Sequence, residues 1–356
     1  MYSFDASYTD QTLELLAFSE EISNQPTITE FTKVDLTGGQ EIEGAQMQIL
    51  DQEGKVVEEW VSKKEAHVVY ALAPGEYILH EEQAPTEQGY VRAEDVKFVV
   101  EETGEVQKVK MKDDHTKVSI SKTDITDGKE IEGAKLQILD QEGEVVESWT
   151  TGEEHLIEYL PVGTYTLHEE AAVGGYIVAN DVEFTVEETG EIQKVKMEDE
   201  RAMGQLVIVK TDADSKAALE GVEFVLLEKE TGKEVERLKT GKDGKAVSSL
   251  LPIGTYENGV FKEPITYVLK ETAALEGYEK TEEEWEIVFS YQNDKTPVIE
   301  VVKEIQNKKI PETPGTVKPG PKTGDDTNWF LPLLALGVSA GMVAGLLYYR
   351  KKQKKA

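Results

Sequence analysis

The chain has 356 residues, 70 of them acidic against 38 basic, and a formal charge of −32. So negative a chain repels phosphate backbones, which excludes nucleic acid as a partner, and carboxylates spread this evenly read as a solvated surface rather than a cation site. With no cysteine there is no disulfide, thiol nucleophile or zinc–thiolate site, so an extracellular form must draw its rigidity from elsewhere.

In chain order, "MYSFDASYTDQ" has neither the basic n-region nor the apolar h-region of a signal peptide. Residues 7–25 align without a gap to 290–308, which sets Tyr8 on Tyr291 and Asn24 on Asn307. Residues 1–25 therefore read as the closing strands of a truncated upstream unit, with the partner of Asn24 missing upstream.

A repeat follows. "KVDLTGGQEIEGAQMQILDQEGKVVEEW" (33–60) matches "KTDITDGKEIEGAKLQILDQEGEVVESW" (122–149), and "FVVEETGEVQKVKM" (98–111) matches "FTVEETGEIQKVKM" (184–197). A divergent third copy runs from "LVIVKTD" (206–212) to "EIQNKK" (304–309). Units at 26–115, 116–203 and 204–310 are too long for solenoid repeats and suit tandem domains. Short β-rich runs alternate with turn signals such as "DQEG", "TGKDG" and "PVGTY", and helical periodicity is absent, so each unit reads as an all-β sandwich. Trp60 and Trp149, at equivalent positions, read as packing residues rather than ligand platforms.

Alternation along the strands tells which side chains share a face. Phe31 and Lys33, then Val118, Ile120 and Lys122, then Leu206, Ile208 and Lys210 lie on one side of the opening strands. A later strand aligns Tyr77, Leu79 and Glu81, with counterparts ending at Glu169 and Glu271. The closing strands align Val109 and Met111 with Asp113, Val195 and Met197 with Asp199, and Ile305 with Asn307. Each unit thus directs a Lys, a Glu and an Asp or Asn toward its apolar side, where isolated charges cost several kcal/mol each.

"YILHEEQAPTEQGY", "YTLHEEAAVGGY" and "YVLKETAALEGY" resemble the E-box, Y-x-L-x-E-T-x-A-P-x-G-Y, of the Cna-B (SpaA-type) domains of Gram-positive adhesins and pilins. Val173 and Leu275 replace the proline of that pattern, and the first copy is longer before Gly89. The resemblance covers nearly all of 26–310 and implies prealbumin-like, inverse immunoglobulin-like sandwiches. It also implies internal isopeptide bonds, Lys33–Asp113, Lys122–Asp199 and Lys210–Asn307, with Glu81, Glu169 and Glu271 as proton relays. A lysine kept from water gives up its proton more readily and a glutamate holds its own, which suits such a bond. The Y-P-K-N-type motif that supplies the polymerising lysine of pilins is absent, which speaks against a backbone pilin.

Beyond the repeats, 311–319 opens a Pro-rich spacer of about 3 Å per residue. "GPKTG" occupies 320–324, and an uncharged apolar run spans Trp329 to Tyr349. At about 1.5 Å per residue that run is about 30 Å long, the thickness of a bilayer core, and reads as a C-terminal transmembrane helix. Trp329, Tyr348 and Tyr349 fall at its interfaces, and the basic tail at 350–356 stays cytoplasmic by the positive-inside rule. Spacer, motif, span and tail in this order resemble the cell-wall sorting signal of Gram-positive surface proteins. The resemblance implies a sortase that recognises Pro321, cleaves between Thr323 and Gly324 and joins Thr323 to peptidoglycan. Gly320 stands where the usual motif has Leu, which points to a sortase with a different first subsite.

Hydrolase, metalloprotease and phosphate-loop signatures are absent, and "TDADSKAALEG" lacks the glycine of a calcium loop. The chain reads as no enzyme beyond single-turnover crosslinking, and it needs no cofactor. Two functions remain: a rigid stalk that projects an upstream head, or an adhesin or ancillary pilin whose own domains bind a host or matrix ligand. The insertion "ENGVFKEPI" (257–265), present only in the third copy, is the one candidate ligand loop.

Overall fold

The computed structural model describes residues 25–311 together with two short strands, Ala6–Thr9 and Thr12–Leu15. Those two strands pair with each other as an antiparallel hairpin, and neither joins another sheet. Asn24 and everything after residue 311, including the sorting motif and the apolar span, lie outside the described residues. Among the described residues no helix is long and apolar enough to cross a membrane. Their single helical element is the short turn Thr86–Gln88, so the architecture is all-β.

Each of the three repeats is a sandwich of two four-stranded sheets. In the first, one sheet runs His67–Tyr70, Ile28–Asp35, Val106–His115, Tyr90–Val91. The other runs Val56–Val61, Gln46–Leu50, Gly75–Gln83, Val96–Val100. The second repeat keeps both orders, and the third keeps its Glu-bearing sheet. Alternating apolar residues make one face of every sheet bury against its mate. In the first sandwich the core gathers Phe31, Met47, Ile49, Leu79, Val109 and Met111. Separate cores of the same kind fill the second and third. Trp60 packs on Phe31 with ring centroids 5.5 Å apart and stacks on His67, and Trp149 stacks likewise on His155. Both tryptophans border the core, as expected of packing residues.

First and last strands of each repeat are parallel neighbours, a pairing that hairpins cannot make and that requires the whole domain to be threaded between them. The last strand of one repeat then passes almost directly into the first strand of the next. Only Thr116 separates Val106–His115 from Lys117–Asp124, and only Ala202 separates Ile192–Arg201 from Met203–Asp212.

The insertion of the third repeat is a hairpin, Gly254–Glu257 with Val260–Pro264. It lies against the second repeat. The Tyr256 hydroxyl donates to the Gly175 carbonyl at 2.8 Å, and the Tyr256 ring meets that of Tyr176 edge-on at 5.2 Å.

Candidate functional site

Three clusters of buried charge repeat through the chain. Parallel register sets Lys33 beside Met111, Lys122 beside Met197 and Lys210 beside Ile305. Two residues farther along each last strand, on the same face, come Asp113, Asp199 and Asn307. Glu81, Glu169 and Glu271 arrive from the opposite sheet, each paired across from a core residue beside a register shift. An irregularity of this kind re-aims a strand's side chains locally. All nine side chains are at most 4 % exposed. Lys, Glu and Asp or Asn, drawn from strands far apart in sequence, are thereby brought into contact in every repeat.

The third cluster has the fullest set of contacts. Lys210 Nζ donates to Asn307 Oδ1 at 2.5 Å and to Glu271 Oε2 at 2.9 Å, while Asn307 Nδ2 donates to Glu271 Oε1 at 2.7 Å. Glu271 therefore touches the amine with one oxygen and the amide nitrogen with the other. Burial lowers the Lys210 pKa, and the ion pair with Glu271 opposes that shift.

In the first cluster Lys33 Nζ contacts Asp113 Oδ1 and lies 2.8 Å from Glu81 Oε2, which also accepts the Ala93 N–H at 2.7 Å. Glu81 Oε1 and Asp113 Oδ2 are buried without another hydrogen-bond partner. The second cluster repeats this with Lys122 and Asp199, with Glu169 Oε2 at 2.9 Å from Lys122 and 2.6 Å from Ala179 N, and with Glu169 Oε1 and Asp199 Oδ2 again unpartnered. Two buried carboxyls beside a single lysine leave an excess of negative charge in the interior, which favours the protonated form of Asp113 and Asp199. Burial raises the pKa of Asp113 and Asp199; Lys33 and Lys122 oppose the shift, and the neighbouring Glu81 and Glu169 add to it, so that each rises to about 7.

Two contacts went unnoticed in the sequence. The Lys33 and Lys122 amides donate to Glu41 and Glu130 at 3.1 Å, clamping the strand just where the buried lysine side chain leaves it. Their signal was present in the repeated "EIEG", which the third copy replaces with Ala218-Leu219-Glu220-Gly221. Beside Lys33 a cavity of about 10 Å³ has room for about one water molecule. Among the described residues no group of His, Cys, Asp and Glu is arranged to hold a metal ion. Pro321, Thr323, Gly324 and Asn24 lie outside the described residues.

A lysine amine held against a carboxyl or amide group, with a second carboxyl alongside to move protons, brings together the groups that amide formation requires.

Comparison with known proteins bears on the fold. No curated protein matches the chain. Among solved structures, the TIE protein of Bacillus anthracis is 28% identical with a TM-score of 0.54, over 80% of this chain and 51% of that one. The chain thus spans about half the length of that protein. The major pilin subunit BcpA of Bacillus cereus is 16% identical (TM-score 0.45), over 80% of this chain and 100% of that one. The major pilin SpaD of Corynebacterium diphtheriae is also 16% identical (TM-score 0.36), over 80% and 98%. The sequence profile described as the SpaA prealbumin-like fold domain matches at residues 27–115, 116–201 and 204–264, more than half of the chain. With three sandwiches built alike and three matches in tandem, the chain belongs to the SpaA prealbumin-like domain family.

Proposed function

We propose that the chain is the structural stalk of a sortase-anchored, extracellular Gram-positive surface protein, its domains stiffened by self-formed isopeptide bonds. The observation that carries this reading is the threefold recurrence of a buried lysine on an acid or amide, joining the first and last strands of each sandwich.

In the third domain Glu271 takes a proton from the Lys210 ammonium, and the neutral amine adds to Cγ of Asn307. The new N–C bond forms as the C–Nδ2 bond breaks. One proton from the lysine nitrogen leaves on the departing nitrogen as ammonia, and the other stays on Glu271. In the first two domains the acceptor is a protonated aspartic acid, so the C–O bond breaks and water departs. Folding supplies proximity, which replaces much of the barrier to a reaction that happens once.

Tension enters a domain at its first strand and leaves from its last. A bond between the two carries the load past the rest of the sandwich. Pulling single chains from the two ends tests this. Wild-type domains should give no unfolding extension, whereas Glu81→Ala, Glu169→Ala or Glu271→Ala should each free one loop. Those loops span sequence separations of 80, 77 or 97 between the crosslinked positions, roughly 300 Å of chain. Equal extension from wild type and variants contradicts the reading.

The C-terminal segment supplies the anchor: a membrane-held precursor through 329–349, then transfer of Thr323 to peptidoglycan by a sortase that accepts Gly320. Thr323→Ala should shift the protein from the muramidase-released wall fraction to membrane or medium, and an unchanged wall fraction rules this anchor out. The domain limits 26–115, 116–203 and 204–310, with 1–25 as the end of an upstream unit, belong to the same proposal. A host-binding role draws no support from 257–265, whose one aromatic side chain, Phe261, is half-buried against Tyr256 and beside Gly175 of the second domain.

A further inference from the structure

The glycine before the last tyrosine of each E-box, Gly89, Gly175 or Gly277, has positive φ, near 78°, 93° and 84°. That conformation explains a glycine in all three, but the surroundings differ. A Cβ on Gly89 would run into the backbone of Tyr159 in the second domain. One on Gly175 would meet the Phe261 ring of the third domain at 2.7 Å and the Tyr256 hydroxyl at 2.9 Å. Around Gly277 nothing described lies within 4 Å. The glycines followed by another domain are the covered ones.

Tyr159 is out of place by the logic of its own domain. Its φ is 63°, a conformation tyrosine seldom adopts. The first domain makes the same turn with Ala71 at φ 61°, so the sandwich needs no ring there. The ring instead enters the first domain. It stacks on His115 with centroids 3.9 Å apart, and its hydroxyl donates to Asp35 Oδ2 at 2.8 Å. Asp35 lies two residues beyond the crosslinking Lys33, and His115 two beyond Asp113, so the ring seats on the strand ends that the crosslink would join. At the second junction the corresponding residues are Asp124 and Arg201. Arg201 Nε donates to Asp124 at 2.6 Å, and the Tyr256 ring covers the guanidinium at 4.1 Å.

We infer that these E-box ends are interdomain sockets, plugged by Tyr159 at the first junction and by the Tyr256–Phe261 hairpin at the second, and that the plugs set the angle between successive domains. With a single residue as linker, an aromatic ring seated across the junction removes the bending freedom that a bare linker keeps. This deepens the stalk reading and rests on it for its purpose. The seating itself is independent of any crosslink.

The chain has no cysteine, so paired spin labels can be placed on exposed turns of the full chain without background. Labels at Glu53→Cys and Glu142→Cys report the first junction, and labels at Glu142→Cys and Glu230→Cys the second. Pulsed dipolar spectroscopy should give one narrow distance for each pair. Tyr159→Ala, the residue found at the equivalent turn of the first domain, should broaden the first distance and leave the second unchanged; Phe261→Ala should do the reverse. Asp35→Asn, which acts from the other side of the socket, should broaden the first junction as well. Narrow wild-type distances retained in Tyr159→Ala and Asp35→Asn overturn the inference. Intact masses from the same samples keep the two readings apart: distances that respond in uncrosslinked chains leave the sockets standing without the crosslinks, and unresponsive distances in crosslinked chains do the opposite.

Discussion

A proton count separates the two kinds of cluster. In the Lys210–Glu271–Asn307 cluster an ammonium and a carboxylate are neutral together, and one internal transfer from Lys210 to Glu271 yields the reactive amine. The Lys33–Glu81–Asp113 cluster needs one proton more, on Asp113, because a carboxylate is no target for an amine. Burial, reinforced by Glu81, supplies that condition by raising the Asp113 pKa to about 7 against the pull of Lys33. Asp199 is raised in the same way. The sign follows. Between the ordinary aspartate value of about 3.9 and about 7, the folded, uncrosslinked domain holds a proton that the unfolded chain has lost. Its stabilisation is complete below that range and disappears as the pH rises through about 7. Chains refolded at pH 5.5 should therefore close the first two bonds faster than chains refolded at pH 9, while the third bond shows no such loss. Mass mapping of each domain over time reads this, and equal or faster closure of the Asp domains at pH 9 contradicts it.

The parallel pairing of first and last strands is what a crosslink there would exploit. Bridging Lys210 to Asn307 closes a loop of 97 residues, which the chain-entropy account values at about 4–5 kcal/mol. Lys210→Met keeps most of the side-chain volume and removes the nucleophile. The melting transition of the third domain should then fall by about 20–30 °C, with the other two in place. Calorimetry that finds the third transition unmoved would mean that the bond does not form. The strands that carry these residues were legible in the sequence because burial on one face imposes a period of two, and a lysine in phase with Leu206 and Ile208 has only the interior to point to. The same reasoning assigned the Glu strands, although the register shifts beside Glu81, Glu169 and Glu271 left no mark of their own. Alternation also left no mark of the direction taken by 257–265: Gly259 and Phe261 approach another domain, and period reports only the faces of its own sheet.

Taken whole, a chain without cysteine would draw stiffness from two sources, the proposed crosslink inside each domain and the proposed aromatic plug between neighbours. The residues of the first could be read from their spacing, since the three members of a cluster repeat at fixed places in every copy. The second could not, since Tyr159 is an ordinary turn residue until its partners Asp35 and His115 are seen across the junction. Both would act on the same strand ends, so the route by which load would leave one sandwich is the route by which it would enter the next. A stalk stiffened in this way requires the three clusters to be covalent. The intact mass of the purified, fully denatured chain answers that most directly. The expected mass is lower than the sequence mass by one ammonia and two waters, with the ammonia deficit abolished by Glu271→Ala and one water restored by each of Glu81→Ala and Glu169→Ala. A chain at its full sequence mass would leave three buried ion clusters and no crosslinks.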